Sequence, residues 1–310
     1  MNKICLVVPY FGQLPNNFQI WLNSCKANET ISWQVFTDDH SAFDYPENVL
    51  VHRITFDEFK EKLMACIDFD ITIDTPYKLT DYKVAYGHAL SEYLKDYDFW
   101  GFCDVDLIFG NIRKFITAEI LNRHDKILSR GHFTLFRNNE ILNTLYKKSL
   151  AGQEPYKKVF SSPEFFHFDE WGDNGINRIA IDQGITMYDQ VSFHDLDYKK
   201  YNFHTSQMLD KTNWSASSIY LWDNGSLFRL YLSQEKLVRE EIFYIHFQKR
   251  NMKVALDESA PEQILIVPNE YSAYNLNLSD DQLKEILQKR VPMAKYLQFN
   301  YNRFKKRFKL

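Results

Sequence analysis

A buried strand that ends in two carboxylates constrains this chain more than any other stretch. Segment 97–110 reads YDFWGFCDVDLIFG, an aromatic and apolar run interrupted by Asp104 and Asp106. A run of this composition predicts a buried β-strand. Carboxylates are costly to bury without a cation, and side chains two residues apart in an extended chain point the same way. The pattern predicts a divalent-metal site where the strand ends, although two acids that begin a surface turn would give the same letters.

The composition narrows the class of protein. The chain has 310 residues, of which 45% are hydrophobic and 25% charged, as in ordinary globular domains. A net charge of −4 argues against non-specific binding of nucleic acid. The aromatic fraction of 16% suits either stacking on sugar rings or a large aromatic core.

Cysteine usage and hydropathy indicate the compartment. The four cysteines lack metal or redox spacing, which predicts free thiols in a reducing environment. No stretch approaches the length of a membrane span, and the apolar run 4–8 is too short for a signal peptide. We therefore expect a cytoplasmic protein.

Strand and helix signals alternate along the chain, which predicts an α/β fold with a parallel sheet and right-handed crossovers. Apolar runs, caps and turn residues predict these elements: strands at 4–9, 33–37, 49–54, 126–128, 131–137, 185–188 and 264–268; helices at 18–27, 55–66, 80–95, 140–148 and 175–183; a β-hairpin at 219–229; and a helix after Ser279. We expect one catalytic domain over 1–270, followed by a C-terminal helix and a basic aromatic tail over 271–310.

Ligands of such sheets bind at the carboxyl ends of the strands. Residues predicted to lie along that rim, besides the two carboxylates, are Pro9, Thr37, Asp38 and Asp39. The two acids would bind a ribose or base, or would cap the next turn; the sequence favours neither. Lys83 lies near the start of the helix that precedes the D-x-D strand, where a cation is better placed facing an anion than facing the helix dipole. A solvated lysine is the alternative.

Two later segments carry further candidate site residues. The irregular stretch 151–175 contains Asp169 and Glu170 between aromatic residues, a setting in which acids have raised pKa values or a partner. An apolar strand at 241–247 ends near His246, and basic residues follow at once: Lys249, Arg250 and Lys253. With the two aspartates, His246 would complete an oxygen and nitrogen site that suits Mn²⁺, or Mg²⁺. Such a metal, flanked by cations, suits the binding of a diphosphate.

The D-x-D at the end of an apolar strand resembles the metal motif of GT-A nucleotide-sugar glycosyltransferases. The late segment 244–250, YIHFQKR, is similar to the metal-binding histidine and basic residues of their retaining members. Asp81 and Lys83 resemble an acid–base pair that contacts the donor there, and 168–170 resembles an acidic acceptor-side motif. Over about 1–270 the chain resembles a bacterial group found with capsule and surface-polysaccharide genes.

The resemblance implies a GT-A (Rossmann-like) mixed sheet flanked by helices. It also implies transfer of a hexose from a nucleotide diphosphate sugar, UDP-linked by expectation, to a glycan or lipid-linked acceptor. The diphosphate would contact Lys83, Lys249, Arg250 or Lys253, and the acceptor would meet Asp169 and Glu170 as base or clamp. It leaves open the donor sugar and the stereochemical outcome.

Two other functional classes fit parts of the pattern. A haloacid-dehalogenase-like phosphatase would use one aspartate of the D-x-D as nucleophile, but it normally opens its domain with that strand. A non-catalytic polysaccharide-binding protein would explain the aromatic content and would bind no nucleotide.

The end of the chain is basic and aromatic. Within 303–310, five cations alternate with two phenylalanines that lie four residues apart. Such a run is either a solvated terminus or a peripheral contact with an anionic membrane. The contact would suit an enzyme whose acceptor is a lipid-linked sugar.

Overall fold

The structure is a computed structural model that describes residues 1–172, 174–205, 216–248, 250–256, 261–275 and 278–308, with side chains up to 305. The chain packs as two compact units. The first comprises 1–107 and 111–191, and the second comprises 108–110 and 192–310. The predicted division into a domain over 1–270 and a segment over 271–310 stays a prediction.

A seven-stranded mixed sheet forms the centre of the first unit, in the order β3-β2-β1-β4-β7-β6-β8. The strands in its chain segment are β1 (Ile4–Pro9), β2 (Ile31–Thr37), β3 (Val49–Arg53), β4 (Phe99–Cys103), β5 (Leu107–Phe109), β6 (Lys126–Arg130), β7 (Phe133–Arg137) and β8 (Met187–Tyr188). The first four strands of this sheet are parallel, whereas β7 runs antiparallel to both β4 and β6. Strand β4 is therefore the middle strand, and β5 belongs to another sheet.

Helices flank this sheet. They are α1 (Phe18–Lys26), α2 (Phe56–Met64), α3 (Leu79–Tyr82), α4 (Tyr86–Ala89), α5 (Ser91–Leu94), α6 (Ile112–Phe115), α7 (Ala118–Arg123), α8 (Glu140–Asn143), α9 (Pro155–Phe160) and α10 (Ile176–Asp182). The capping box predicted at Thr55 and Glu58 is present, with each side chain bonded to the backbone of the other.

The continuous helix predicted over 80–95 is wrong. The segment is broken into α3, α4 and α5, with short 3₁₀ turns at Pro76–Lys78 and Lys83–Ala85. Asp81 lies inside α3 and accepts backbone hydrogen bonds from Phe166 and Phe168. Gly87, a weak helix former, lies against the Trp100 ring. Tertiary packing overrides the helical pattern here.

Most of the large aromatic side chains enter the core. Trp21, Trp33, Trp100 and Phe36 are fully buried in the first unit. Trp171 is 38% exposed, so its ring remains available for stacking. The four cysteines are free thiols, as predicted. Among the described residues, no helix combines the length and the apolar character needed to cross a membrane.

Two sheets form the second unit: a six-stranded sheet in the order β12-β11-β10-β15-β16-β14 and a three-stranded sheet in the order β5-β13-β9. The elements are β9 (His194–Asp195), β10 (Ser218–Asp223), β11 (Ser226–Ser233), β12 (Lys236–Glu241), β13 (Tyr244–His246), β14 (Lys253–Ala255), β15 (Gln263–Val267), β16 (Glu270–Ala273), α11 (Asp280–Gln288) and α12 (Met293–Phe308).

The predicted hairpin is confirmed at β10 and β11, where Asn224 and Gly225 both have positive φ, as a type I′ turn requires. The capping box at Ser279 and Gln282 also begins α11 as predicted. The described fold is thus the predicted α/β class, a large mixed sheet flanked by helices with a C-terminal hairpin and helical tail.

Candidate functional site

The two aspartates of the D-x-D follow the middle strand of the sheet at its carboxyl end. Asp104 N–H donates to the carbonyl of His132, which fixes the chain as it leaves β4, and Val105 between them is buried. Carboxylate oxygens of Asp104 and Asp106 lie within 4.8 Å of one another. The two carboxylates therefore lie close together, at a separation that one divalent cation can bridge.

Lys83 is the cation beside these carboxylates. Its Nζ donates to Asp104 Oδ1 at 2.6 Å and to the Gly131 carbonyl at 2.9 Å, and it lies 3.8 Å from Asp169 Oδ2. Burial alone would lower the Lys83 pKa, but the charges of Asp104 and Asp169 outweigh it and raise the pKa. Lys83 is therefore a charged lysine held in place, and not the solvated lysine of the alternative interpretation.

Asp169 is almost completely buried, at 1% exposure. Among the described residues, neither of its carboxylate oxygens accepts a hydrogen bond. Burial raises its pKa to about 8, with Lys83 opposing the shift and the negative charge of Glu170 adding to it. The raised pKa agrees with the one expected for an acid between aromatic residues.

Glu170 lies in a different environment from its neighbour. It is half-buried, and its Oε1 accepts the backbone N–H of Gly131 at 2.6 Å. A Cβ added at Gly131 would lie 2.4 Å from Asp169 Oδ2 and 3.0 Å from Glu170 Oε1. Glycine is thus the residue that lets both acids approach the backbone before β7. Sequence reasoning missed Gly131, because its partners are some 40 residues away.

Lys126 is a second buried lysine that the sequence reading missed. The β6 strand carries an irregularity between Ile127 and Arg130, with Leu128 in the left-handed region. Lys126 Nζ donates to the Leu128 carbonyl and lies over the Phe136 ring. Burial lowers its pKa to about 7, opposed by nearby carboxylates including Asp169 and Glu170. A lysine at the start of an apolar strand carries no sequence signal that its side chain is buried or that its pKa is lowered.

A buried ion pair holds the loop that leads to Asp169. Asp81 is fully buried and accepts backbone N–H groups from Phe166 and Phe168 as well as Lys78 Nζ. Lys78 also donates to the carbonyls of Val159 and Glu164. Of the pair that the resemblance placed at the donor, Lys83 lies beside the D-x-D, whereas Asp81 fixes this loop.

The rim residues lie at the ends of β1 and β2: Pro9, Thr37, Asp38 and Asp39. Asp38 Oδ1 accepts the N–H of Gly12, and Asp39 accepts those of Leu14 and Ser41. Bonds from Ser41 and Leu14 lower the Asp39 pKa. Both acids thus bond turn backbones, one of the two roles that the sequence left open. Nucleotide contact at this rim stays a prediction.

The candidates from the late segment belong to the second unit. His246 ends β13, and its Nδ1 lies 2.8 Å from Asp195 Oδ1. Its predicted convergence with Asp104 and Asp106 stays a prediction. Lys249 lies outside the described residues.

The two other basic candidates have partners of their own in the second unit. The Arg250 guanidinium donates to the carbonyls of Tyr201, Asp197 and Lys200, and burial lowers its pKa to about 10. Lys253 pairs with Glu270 at 3.2 Å and is largely exposed. Arg250 therefore holds a loop, and diphosphate binding by either residue stays a prediction.

Comparison with known proteins places the sequence in a family. The model of the DUF6625 family, described as a family of unknown function, matches residues 6–275. The chain belongs to the DUF6625 family. Membership of DUF6625 assigns no activity, so the function has to come from the chemistry of the site. No curated protein sequence matches this DUF6625 member significantly.

Solved structures of glycosyltransferases resemble this DUF6625 chain. Mouse xyloside xylosyltransferase 1 in its apo form has 10% sequence identity and a TM-score of 0.38, covering 63% of this chain and 88% of that chain. The galactosyltransferase LgtC in complex with donor and acceptor sugar analogues has 9% identity and a TM-score of 0.39, covering 94% and 99% of the two chains.

Proposed function

We propose that this protein is a metal-dependent glycosyltransferase that moves a hexose from a nucleotide diphosphate sugar, UDP-linked by expectation, to a glycan or lipid-linked acceptor. One observation carries the proposal. The carboxylates of Asp104 and Asp106 lie within 4.8 Å of one another just after the middle strand of an α/β sheet. They lie beside Lys83, a buried and charged lysine. Paired oxygen ligands next to a fixed cation suit a metal–diphosphate group.

The residues fit a hard divalent metal such as Mn²⁺ or Mg²⁺. Asp104 gives one oxygen to Lys83 and keeps a second for a metal, and Asp106 follows it on the same side. We propose His246 as the third ligand. When bound, the metal would neutralise the charge that develops on the leaving diphosphate.

The different burial of Asp169 and Glu170 suggests different roles for the two acids. In the transfer, the bond from the sugar C1 to the phosphate oxygen breaks and a bond from C1 to the acceptor oxygen forms. The acceptor hydroxyl gives up its proton in this step, and Glu170 is the carboxylate proposed to accept it. Glu170 is half-buried and can face an acceptor, whereas Asp169 is 1% exposed and lies 3.8 Å from Lys83 Nζ. We assign Glu170 to the acceptor side, next to the exposed Trp171 ring, and Asp169 to positioning Lys83.

The phosphate contacts follow from the basic residues. Lys83 is the residue we assign to the donor diphosphate, because it is charged, held by Asp104 and adjacent to the proposed metal. Lys253 and Lys249 remain candidates from the resemblance, and so does Arg250, although its guanidinium already holds the 197–201 loop. Pro9, Thr37, Asp38 and Asp39 are proposed to line the nucleoside end.

The last helix is the proposed route to a lipid-linked acceptor in surface polysaccharide synthesis. One face of α12 packs on the protein: Phe299 meets Tyr201 at 5.5 Å between ring centroids, and Arg303 donates to the Lys199 carbonyl. The opposite face exposes a row of large apolar side chains: Met293, Leu297, Tyr301 and Phe304. The sequence from 293 to 310 contains six cations and no acid. We propose that this face meets an anionic membrane surface at the cytoplasmic side.

The metal role is tested by Asp106→Asn. The substitution removes one ligand charge and keeps the shape, so we expect transfer from a UDP-sugar to fall about 10²–10⁴-fold, together with a weaker response to Mn²⁺. Asp96→Asn, which removes an exposed carboxylate from the turn before β4, is the matched control and should keep wild-type turnover. Wild-type turnover in Asp106→Asn would refute the proposed role.

A further inference from the structure

A short parallel pairing places Asp195 beside His246. Strands β9 and β13 pair with His246 opposite Asp195, and the Leu196 N–H donates to the His246 carbonyl at 3.0 Å. The register therefore sets an acid next to the proposed metal ligand. The two residues are separated by 51 positions in sequence, so sequence spacing gives no hint of the pair.

Two side chains, those of His246 and Gln248, contact the same carboxylate oxygen of Asp195. Asp195 Oδ1 lies 2.8 Å from His246 Nδ1 and accepts Gln248 Nε2–H at 2.6 Å. Gln248 has φ of 50°, in the left-handed region. The His246 and Asp195 side chains are 13% and 17% exposed, so the group is largely shielded from water. A carboxylate at this distance requires a proton on the facing ring nitrogen.

We propose that Asp195 is a positioning residue that holds His246 as the Nδ1–H tautomer, with its Nε2 lone pair available to bind a divalent metal. The inference rests on the metal site of the proposed function. A ligating histidine that donates its other N–H to a carboxylate has a fixed ring orientation and a more basic ligand nitrogen. Gln248 fixes the carboxylate in turn. Without Asp195, the ring divides between tautomers and orientations, and metal binding weakens.

The tautomer is measured on the full-length, metal-free protein. Long-range ¹H–¹⁵N spectra of ¹⁵N-histidine-labelled protein distinguish the Nδ1–H from the Nε2–H form, and a His246→Gln variant identifies the signals of this ring among the nine histidines. We expect the Nδ1–H form in the wild type and a mixture in Asp195→Ala. An Nε2–H form in the wild type overturns the proposal.

Metal affinity is measured by titration with Mn²⁺ alone. We expect Asp195→Ala to bind Mn²⁺ about 10–100-fold more weakly than the wild type. Asp223→Asn, which removes a carboxylate from the hairpin of the same unit, is the control and should bind as the wild type does. Thermal unfolding checks each variant, and Asp195→Val, which suits a strand and offers no hydrogen-bond acceptor, replaces Asp195→Ala if the alanine variant does not fold.

The outcomes separate this inference from the proposed function. Equal Mn²⁺ affinity in the wild type and the folded Asp195 variants overturns the role of Asp195 and leaves the metal site standing. A wild-type protein that binds no Mn²⁺ refutes the metal site, and the role of Asp195 falls with it.

Discussion

Asp169 and Glu170 are neighbours in the chain, yet their surroundings differ. Asp169 is buried without a hydrogen bond to its carboxylate oxygens among the described residues, whereas Glu170 accepts the Gly131 N–H and is half-buried. A buried carboxyl whose oxygens accept no hydrogen bond is an expensive feature, because desolvation disfavours its charged form. Such a feature at the end of a held loop, 3.8 Å from a charged lysine, indicates function more than stability.

The raised pKa of Asp169 predicts how the free energy of unfolding changes with pH. Its folded pKa of about 8 lies above the unfolded value near 3.8, so the folded state binds the extra proton between these values. The stability that Asp169 contributes is present at low pH and is lost as pH rises toward 8. Relative to Asp169→Asn, the free energy of unfolding of the wild type should fall by up to about 1.4 kcal/mol per pH unit between pH 5 and 8.

Denaturant unfolding of both proteins at several pH values measures this difference. The comparison also removes the opposing contribution of Lys126, whose lowered pKa favours the fold as pH rises above about 7. A pH-independent difference between the two proteins would show that Asp169 is ionised in the folded state.

At the residue scale, the sequence predicted those site features that depend only on residues close together in the chain. Two aspartates separated by one residue at a strand end were expected close together, and their carboxylates lie within 4.8 Å of one another. The roles of Gly131, Lys126 and Asp195 depend on partners that folding brings from distant segments. A glycine, a strand lysine and an isolated aspartate carry no local signal for those contacts.

Secondary structure was predictable where local chemistry decides it. The Asn224-Gly225 turn, the two capping boxes and the apolar run of β4 all gave the observed elements. The segment 79–94 was not, because a buried ion pair at Asp81 and the packing of Gly87 on Trp100 interrupt a sequence with helical periodicity. Tertiary contacts cannot be read from a period of 3.6 residues.

If the exposed face of α12 binds an anionic membrane, substitutions on it should weaken binding to anionic vesicles. Each cation near an anionic leaflet contributes about 1 kcal/mol, so Lys305→Gln with Lys306→Gln should weaken binding to anionic vesicles about 10–30-fold at low salt. Leu297→Gln should weaken it as well, because Leu297 is 60% exposed on the apolar face. Co-sedimentation with phosphatidylserine-containing vesicles at low and high salt measures the effect.

A control separates this face from general surface hydrophobicity. Ile141→Gln changes an apolar residue of α8 that is 61% exposed and should leave vesicle binding unchanged. If the full chain and a chain ending at Asn302 bind vesicles equally well, the basic end of α12 has no such role.

At the scale of the whole molecule, the α/β order of the first unit was predictable because each strand and helix carries its own periodicity. The division into two compact units was not, because β5 follows the D-x-D directly yet is paired in the sheet of β9 and β13. The proposed binding of one metal by His246 together with Asp104 and Asp106 is a long-range arrangement, so experiment has to test it.

The central claim is that the protein binds a nucleotide diphosphate sugar through a divalent metal. Thermal unfolding of the full chain should be measured with UDP, GDP, CMP and their sugars, each with and without Mn²⁺, beside the Asp106→Asn variant. We predict stabilisation by a UDP-sugar that requires Mn²⁺, about 2.7 kcal/mol at a ligand concentration of 100 times Kd, and that is lost in Asp106→Asn. A non-catalytic polysaccharide-binding protein would be stabilised by none of these nucleotides, and that result would contradict the proposed function.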